Sequence, residues 1–326
     1  MDQPTSATSL AAARAHPETG AAAFVALVVA NSALAFGPLF VRLADVGPVA
    51  AAFWRMALAL PLLGGAALVA ARRTRGIAPI APTPASARRW WLLALAGLAF
   101  AADLGTWHAG ILQTTMANAT LLGNSATFLF PLWGFLAART WPTRWQGLAL
   151  LLAAAGAALL MGRSYQLDPR QLGGDLLCVC AGVLYAIYFI LMSDVRRAMA
   201  PLPALALSSA ASLPPLLVIA LALGERIVPG NWTPLLGVAL VSQVIGQGCM
   251  IYALGRASPL VIGLALLIQP MVATAVGWGW FGETLGGPDL VGVAMIAAAL
   301  VLVRRERAGA RPVETLPAGD RVTEEA

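Results

Sequence analysis

Charge is scarce in this chain. Asp, Glu, Lys and Arg make up 11% of its 326 residues, and with lysine missing altogether all 21 basic side chains are arginine. An ordinary soluble domain is about 25% charged and roughly 45–50% apolar. Here the hydrophobic share is 59% and the mean hydropathy +0.78, leaving too little polar surface to cover a soluble fold. Histidine and cysteine are few, at two and three residues. Cys178, Cys180 and Cys249 all lie in apolar segments, and Cys-Val-Cys with no histidine nearby is not a zinc spacing, so they read as small packing residues and no metal is expected. The chain has no Gly-x-x-x-x-Gly-Lys-Ser/Thr loop, so nucleotide hydrolysis cannot power it; His-Glu-x-x-His and Gly-x-Ser-x-Gly are also missing. These absences point to a protein that is not an enzyme and holds no cofactor.

What the chain does contain is hydrophobic runs bounded by Arg, Pro and Gly, near 21–43, 48–71, 90–111, 116–138, 144–162, 172–193, 203–223, 234–254, 259–281 and 287–303. Each approaches the roughly 20 residues an α-helix needs to cross about 30 Å of hydrocarbon. The gap at 112–115 is short, but merging its neighbours would need an apolar stretch far longer than a bilayer. The expected fold is therefore all-α, a polytopic membrane protein of ten transmembrane helices. The polar start lacks a basic, short-apolar signal pattern, so residues 1–20 read as a disordered cytoplasmic tail and 304–326 as a second cytoplasmic tail.

A pI near 10.0 would suggest nucleic acid in a soluble protein, but here arginine placement reads as topology. With the N-terminus inside, sixteen arginines fall in cytoplasmic segments and only Arg42, Arg163, Arg170 and Arg226 fall outside, with Arg55 left within a span. That bias puts both termini in the cytoplasm for an even number of helices. Trp90, Trp91, Trp141, Trp145 and Trp232 lie at span ends, where indoles favour the headgroup region. Alanine and glycine richness, with arginine in place of lysine, is associated with GC-rich bacterial genomes, hence a bacterial inner membrane.

Polar groups at membrane depth are the candidate site. Asp103 lies in the third run, where an ionised carboxylate costs about 2.5–3.5 kcal/mol on insertion scales; it should face the bundle interior and, kept from water, can take up and release a proton. A structural hydrogen bond between helices is the plainer reading. Trp107 follows by four residues on the same face, as a cavity wall or an interface anchor. His108 lies about 140° away and reads as a satisfied histidine, not a ligand. Gln243 and Gln247 repeat the four-residue spacing in the eighth run, either as ligands for a neutral or zwitterionic substrate or as helix–helix bonds. Thr120 and Asn124 form a comparable stripe in the fourth. Pro131 and Pro270 each free a backbone carbonyl and bend a helix, for gating or as a plain kink. Arg55 stands about 10 Å into the second run, to snorkel outward or pair with a carboxylate, either Asp103 or a substrate's. Asn31, Tyr185 and Tyr188 complete the set.

The segment from Met116 to Pro131 lies over Gly255 to Pro270 without a gap, each followed by an aromatic-rich half-span and a Gly-led helix. Runs one to five and six to ten thus read as two copies, residues 21–162 and 172–303. Because five is odd, the copies must be inverted in the membrane, a signature of secondary transporters with a site near the midplane.

Asp103 to Asn124, Val241 to Leu254, Gln269-Pro270, Gly282-Glu283 and Phe53-Trp-Arg55 resemble signatures of the drug/metabolite transporter superfamily, specifically its EamA-like ten-helix transporters. The resemblance covers roughly residues 21 to 305. One departure is Ala138-Arg-Thr-Trp141, which lacks the Gly-Glu-Arg usual at the end of the fourth helix. Members export amino acids, other metabolites or toxic compounds, and some import. The resemblance implies a secondary transporter, a monomer or homodimer, exporting a small polar metabolite such as an amino acid, with protons as a coupling ion. Efflux of hydrophobic drugs, import of a metabolite, an intramembrane enzyme and a non-transporting scaffold are the competing expectations.

Overall fold

The computed structural model describes residues 20–73, 84–111, 113–114, 122–162, 169–272, 275 and 286–309. Thr120, Gly282, Glu283 and the tails before Gly20 and after Gly309 lie outside these residues. No strand occurs among the described residues. The helices are α1 (Ala21–Leu34), α2 (Gly37–Leu43), α3 (Pro48–Arg73), α4 (Pro84–Ile111), α5 (Ala126–Ala138) and α6 (Arg144–Gly162). A short 3-10 turn (Pro169–Gln171) leads into α7 (Leu172–Arg196) and α8 (Pro201–Ala222). Then come α9 (Thr233–Gly237), a π-helical segment (Val238–Gln247), α10 (Gly248–Leu254), α11 (Pro259–Leu266) and α12 (Gly287–Gly309).

Prolines explain much of this punctuation. Proline is well placed at a helix start, where its missing N–H has no intrahelical partner, and α3, α4, α8 and α11 all begin on one. Within a helix it rejects the carbonyl four residues back. Pro38 thus stops α1 at Leu34, so the first run is two helices about a turn at Ala35 and Phe36. Pro270 stops α11 at Leu266 in the same way, and helix resumes after the turn at Leu267. Helix runs through Pro131 in α5, Pro61 in α3 and Pro214 and Pro215 in α8, where the proline leaves a carbonyl without its helical donor but does not end the helix.

Among the described residues six stretches are long and apolar enough to cross a membrane: Ala21–Leu43, Pro48–Arg72, Ala87–Gly110, Leu172–Arg196, Pro201–Ala222 and Thr233–Leu254. The apolar helices at Ala126–Ala138, Arg144–Leu159, Pro259–Val272 and Leu290–Val303 are shorter. The chain is an all-α, multi-pass membrane protein, and α12 continues helically to Gly309 where a tail is expected from residue 304. Large apolar side chains such as Leu68, Leu98, Leu151 and Val218 stand exposed on the bundle surface, as lipid contact requires. All five span-end tryptophans are exposed too. Of the cysteines, Cys178 is buried and Cys249, half-buried, packs against the core, whereas Cys180 faces outward from α7; all three are free thiols.

The closest helix pairings are α4 with α7, α6 with α12, α3 with α8, α4 with α8, α5 with α11, and the π segment with α1 and α3. Small residues permit them. A methyl group on Gly156 of α6 would lie 2.8 Å from the Gly292 carbonyl oxygen of α12. One on Gly263 of α11 would lie 2.5 Å from the Thr127 carbonyl oxygen, the group that Pro131 leaves without its helical donor.

Helices α5 and α8 end in the same hydrogen-bonded motif. Thr140 and Arg139 donate to Phe135 and Leu136 carbonyls, and Glu225 and Gly224 donate to Ala220 and Leu221 carbonyls. The left-handed position is Gly224 in α8 but Arg139, at φ 52°, in α5.

Beyond α8 the chain is stapled to the α2–α3 turn. The Glu225 carboxylate accepts from the backbone N–H groups of Val49 (3.2 Å) and Ala50 (2.7 Å), filling the open donors at the start of α3. Asp45 accepts from the Gly230 N–H at 2.7 Å and the Asn231 N–H at 3.4 Å, with Arg226 at 3.6 Å. The Gly230 bond first, then Asn231 and Arg226, hold its carboxyl below the usual carboxylate range. The indole N–H of Trp54 donates to the Ile227 carbonyl (2.7 Å), and Trp54 packs edge-on against Trp232. At the far end of α7, the half-buried Asp194 meets the exposed Arg88 at 3.1 Å and Arg197 at 3.6 Å.

Candidate functional site

Where α4 passes the α1–α2 break and the start of α3, the bundle holds a cavity of about 210 Å³. Its walls are mostly apolar, with a few convergent polar groups: Arg55, Asp103, His108, Asn124 and Gln269, beside the rings of Trp107 and Tyr185. It runs from Phe100 and Tyr185, midway along α4 and α7, toward Val41 and Val238 at the stapled end of the bundle. Below it Phe100 stacks on Tyr188 with centroids 4.5 Å apart, Tyr185 packs on Phe189 at 4.3 Å, and Phe189 meets Phe130 at 5.5 Å. This aromatic layer closes the other side.

Asp103 is 9% exposed and opens only to the cavity. Among the described residues no hydrogen bond and no ion pair within 4 Å engages its carboxyl, although Arg55 is near enough for the two charges to interact. Arg55 instead donates from Nε to Gln243 Oε1 at 2.9 Å, and Gln243 Nε2 donates to Ser209 Oγ at 2.9 Å. The guanidinium lies over the Phe100 ring, 5.7 Å from its centroid, a cation–π contact. Arg55 thus neither snorkels to the surface nor closes on a carboxylate.

Trp107 shares the cavity with Asp103, as the four-residue spacing requires. Its indole lies against Gly123, where a methyl group would come 2.9 Å from Nε1. His108 lines the cavity as well, despite lying on another face of α4, because the cavity wraps the helix instead of meeting one stripe. The ring bonds to the Pro48 backbone, while its Nδ1 is buried with no hydrogen-bond partner among the described residues, so the expectation of a satisfied histidine holds only in part. Gln243 and Gln247 are fully buried behind the wall, Gln243 on Arg55 and Gln247 accepting from the Tyr185 hydroxyl at 3.4 Å. Asn31 also sits behind it, donating to the Leu27 carbonyl (2.8 Å) and accepting from Gln269 Nε2 (3.0 Å). Pro131 packs beneath Gly263, and Pro270 follows the α11 break.

Gln269 and Ser209 were the residues sequence reasoning missed. Gln269 could have been found as a lone amide in an apolar run just before Pro270; Ser209, one of three buried serines in α8, carries no such signal.

Residues 172–305 match the model of the EamA-like transporter family. An uncharacterized transporter from Archaeoglobus fulgidus is 31% identical over 137 residues, which are 41% of this chain. That match spans about half of the relative's length, 48%. A protein of known crystal structure shares the fold with a TM-score of 0.64 at 20% identity, over 86% of this chain and 96% of that one. The chain is thus a multi-pass all-α membrane protein that is similar to the EamA-like transporters over residues 172–305 and shares the fold of a solved structure over most of its length.

Proposed function

We propose that the chain is a secondary carrier that moves a small polar metabolite, an amino acid or a related compound, outward across a bacterial inner membrane by alternating access. The observation that carries this reading is the cavity itself: a charged, partly open chamber that reaches from the middle of the bundle toward its stapled end, walled by helices from both halves of the chain. Polar and ionisable groups at membrane depth are costly, and where they face a cavity they mark a pathway. A non-transporting scaffold needs no such chamber. Arg55 and Asp103 make it too polar for efflux of hydrophobic drugs as the main task.

The inverted-repeat reading has support in the helix pairings. Number the ten hydrophobic runs in order and exchange each with the run five places on. The pairs 2–7, 4–9 and 5–10 map onto themselves, 3–6 maps onto 1–8, and 3–7 maps onto 2–8; these are the pairings that dominate the bundle. Two inverted copies related by a two-fold axis in the membrane plane would give this set. In the orientation favoured by arginine placement, with both termini cytoplasmic, the Asp45–Glu225 corner is periplasmic and the Asp194 corner cytoplasmic. The cavity then lies in the outer half, above the aromatic layer. Alternating access would break that layer and close the outer end, with Pro270 and the α11 break as a place to bend. Asp103 is the candidate proton carrier.

Purified protein in liposomes, offered labelled amino acids and metabolites with and without a pH gradient, tests the carrier. Counterflow of at least one small polar compound is expected. Folded protein that moves none of them would end this reading.

A further inference from the structure

Two opposite charges in one small, mostly apolar chamber should close on each other, because each is stripped of most of its water. Arg55 and Asp103 do not. The arginine is drawn to the wall by a chain that runs Arg55 Nε to Gln243 Oε1 and Gln243 Nε2 to Ser209 Oγ, each link 2.9 Å. Gln243 is fully buried and absent from the cavity lining, so it is not placed to touch a ligand. Ser209 is buried on α8 and fixes the amide's orientation: with Nε2 donating to the serine, Oε1 must face the arginine. The carboxyl of Asp103, meanwhile, is nine-tenths buried, lines the cavity, and has no hydrogen bond or ion pair among the described residues.

Resting on the carrier reading of this cavity, we propose that Gln243 is a positioning residue that, with Ser209, holds Arg55 away from Asp103, so that the chamber presents a split charge pair to a zwitterionic substrate. The carboxylate of the substrate meets the guanidinium, its ammonium meets Asp103, and the two ends fill the gap the protein keeps open. The apolar remainder packs against Phe100, Trp107 and Tyr185.

Full-length protein in detergent is titrated with matched probe trios while its melting temperature is followed: glycine, glycinamide and acetate; leucine, leucinamide and 4-methylpentanoate; phenylalanine, phenylalaninamide and 3-phenylpropanoate. In at least one trio the zwitterion binds tenfold or more tighter than either one-charge analogue. Asp103→Asn removes its advantage over the acid, and Arg55→Gln its advantage over the amide. Gln243→Ala weakens zwitterion binding about tenfold by letting Arg55 fall onto Asp103, and adding Asp103→Asn to it causes little further loss. Ser209→Ala, a gentler change should Gln243→Ala not fold, weakens binding about threefold. Equal binding within every trio, no binding at all, or undiminished zwitterion binding in folded Gln243→Ala overturns the proposal. Binding without counterflow in liposomes would overturn the carrier and leave the split pair standing; counterflow indifferent to charge pattern would do the reverse.

Discussion

Asp103 on α4 and Gln243 on the π segment occupy corresponding places in the two halves, within one residue when Pro131 is laid over Pro270. One is a carboxyl open to the cavity with no partner among the described residues; the other is a fully buried amide with both ends engaged. On the proposed two-copy reading, the difference teaches that matching positions of the two halves need not do equivalent work. The first half supplies the charged groups of the cavity, Arg55 and Asp103, and the second half supplies the amide that keeps one of them in place.

Removing the charge from the open side should have the largest effect. Asp103→Asn is expected to lower the initial rate of counterflow by well over tenfold while leaving the melting temperature within a few degrees, since the carboxyl makes no hydrogen bond or ion pair among the described residues. Unchanged proton-driven transport would mean that Asp103 is structural. The converse change, Gln243→Glu, places a carboxylate where the amide oxygen now accepts from Arg55. It should pair with the arginine, raise the melting temperature and slow transport about tenfold; a variant that melts lower and transports normally would argue against the tether.

Effects on stability should be smaller. Arg139→Gly relieves a left-handed backbone that costs a residue with a Cβ roughly 1–2 kcal/mol, and denaturant or thermal unfolding should show α5 gaining about that much, matching Gly224 at the end of α8. Glu225→Ala leaves two N–H groups at the start of α3 without their acceptor and should cost about 1 kcal/mol. The smallest effect is a pH dependence. Because Asp45 is held below its ordinary range when folded, its contribution is present above the unfolded carboxylate value and is lost as pH falls through the folded one. Melting measured from pH 7 down to pH 3 should therefore fall slightly less in Asp45→Asn than in the parent protein.

Much of this was legible beforehand. Composition and run length lead to an all-α, multi-pass bundle, and the prolines at 48, 201 and 259 mark helix starts where they stand. Asp103, Trp107, Arg55, Asn124 and Tyr185 could be picked out because polar or amphipathic groups at membrane depth are few, and all five line the cavity. What the spacing could not convey is winding and direction. A four-residue interval shares a face only if each residue turns about 100°, and Val238–Gln247 winds as a π-helix instead. Gln243 and Gln247 still act as a pair, but toward Arg55 and Tyr185 across the bundle, a choice made by tertiary partners far away in sequence. The wheel likewise sets His108 apart from Asp103, yet the cavity reaches both. Breaks at Ala35 and Leu267 fall before Pro38 and Pro270, but helices run through Pro61, Pro131, Pro214 and Pro215, so proline alone does not mark a break; the extension of α12 to Gly309 carried no mark either.

The central claim is that the chamber around Arg55 and Asp103 is a transport site. Counterflow in liposomes, run side by side for the parent protein, Asp103→Asn and Arg55→Gln at matched incorporation and checked folding, addresses it most directly. Exchange of at least one small polar compound by the parent, and loss of most of that exchange in each variant, is the expected result. Equal exchange in all three, or none in the folded parent, would contradict the account.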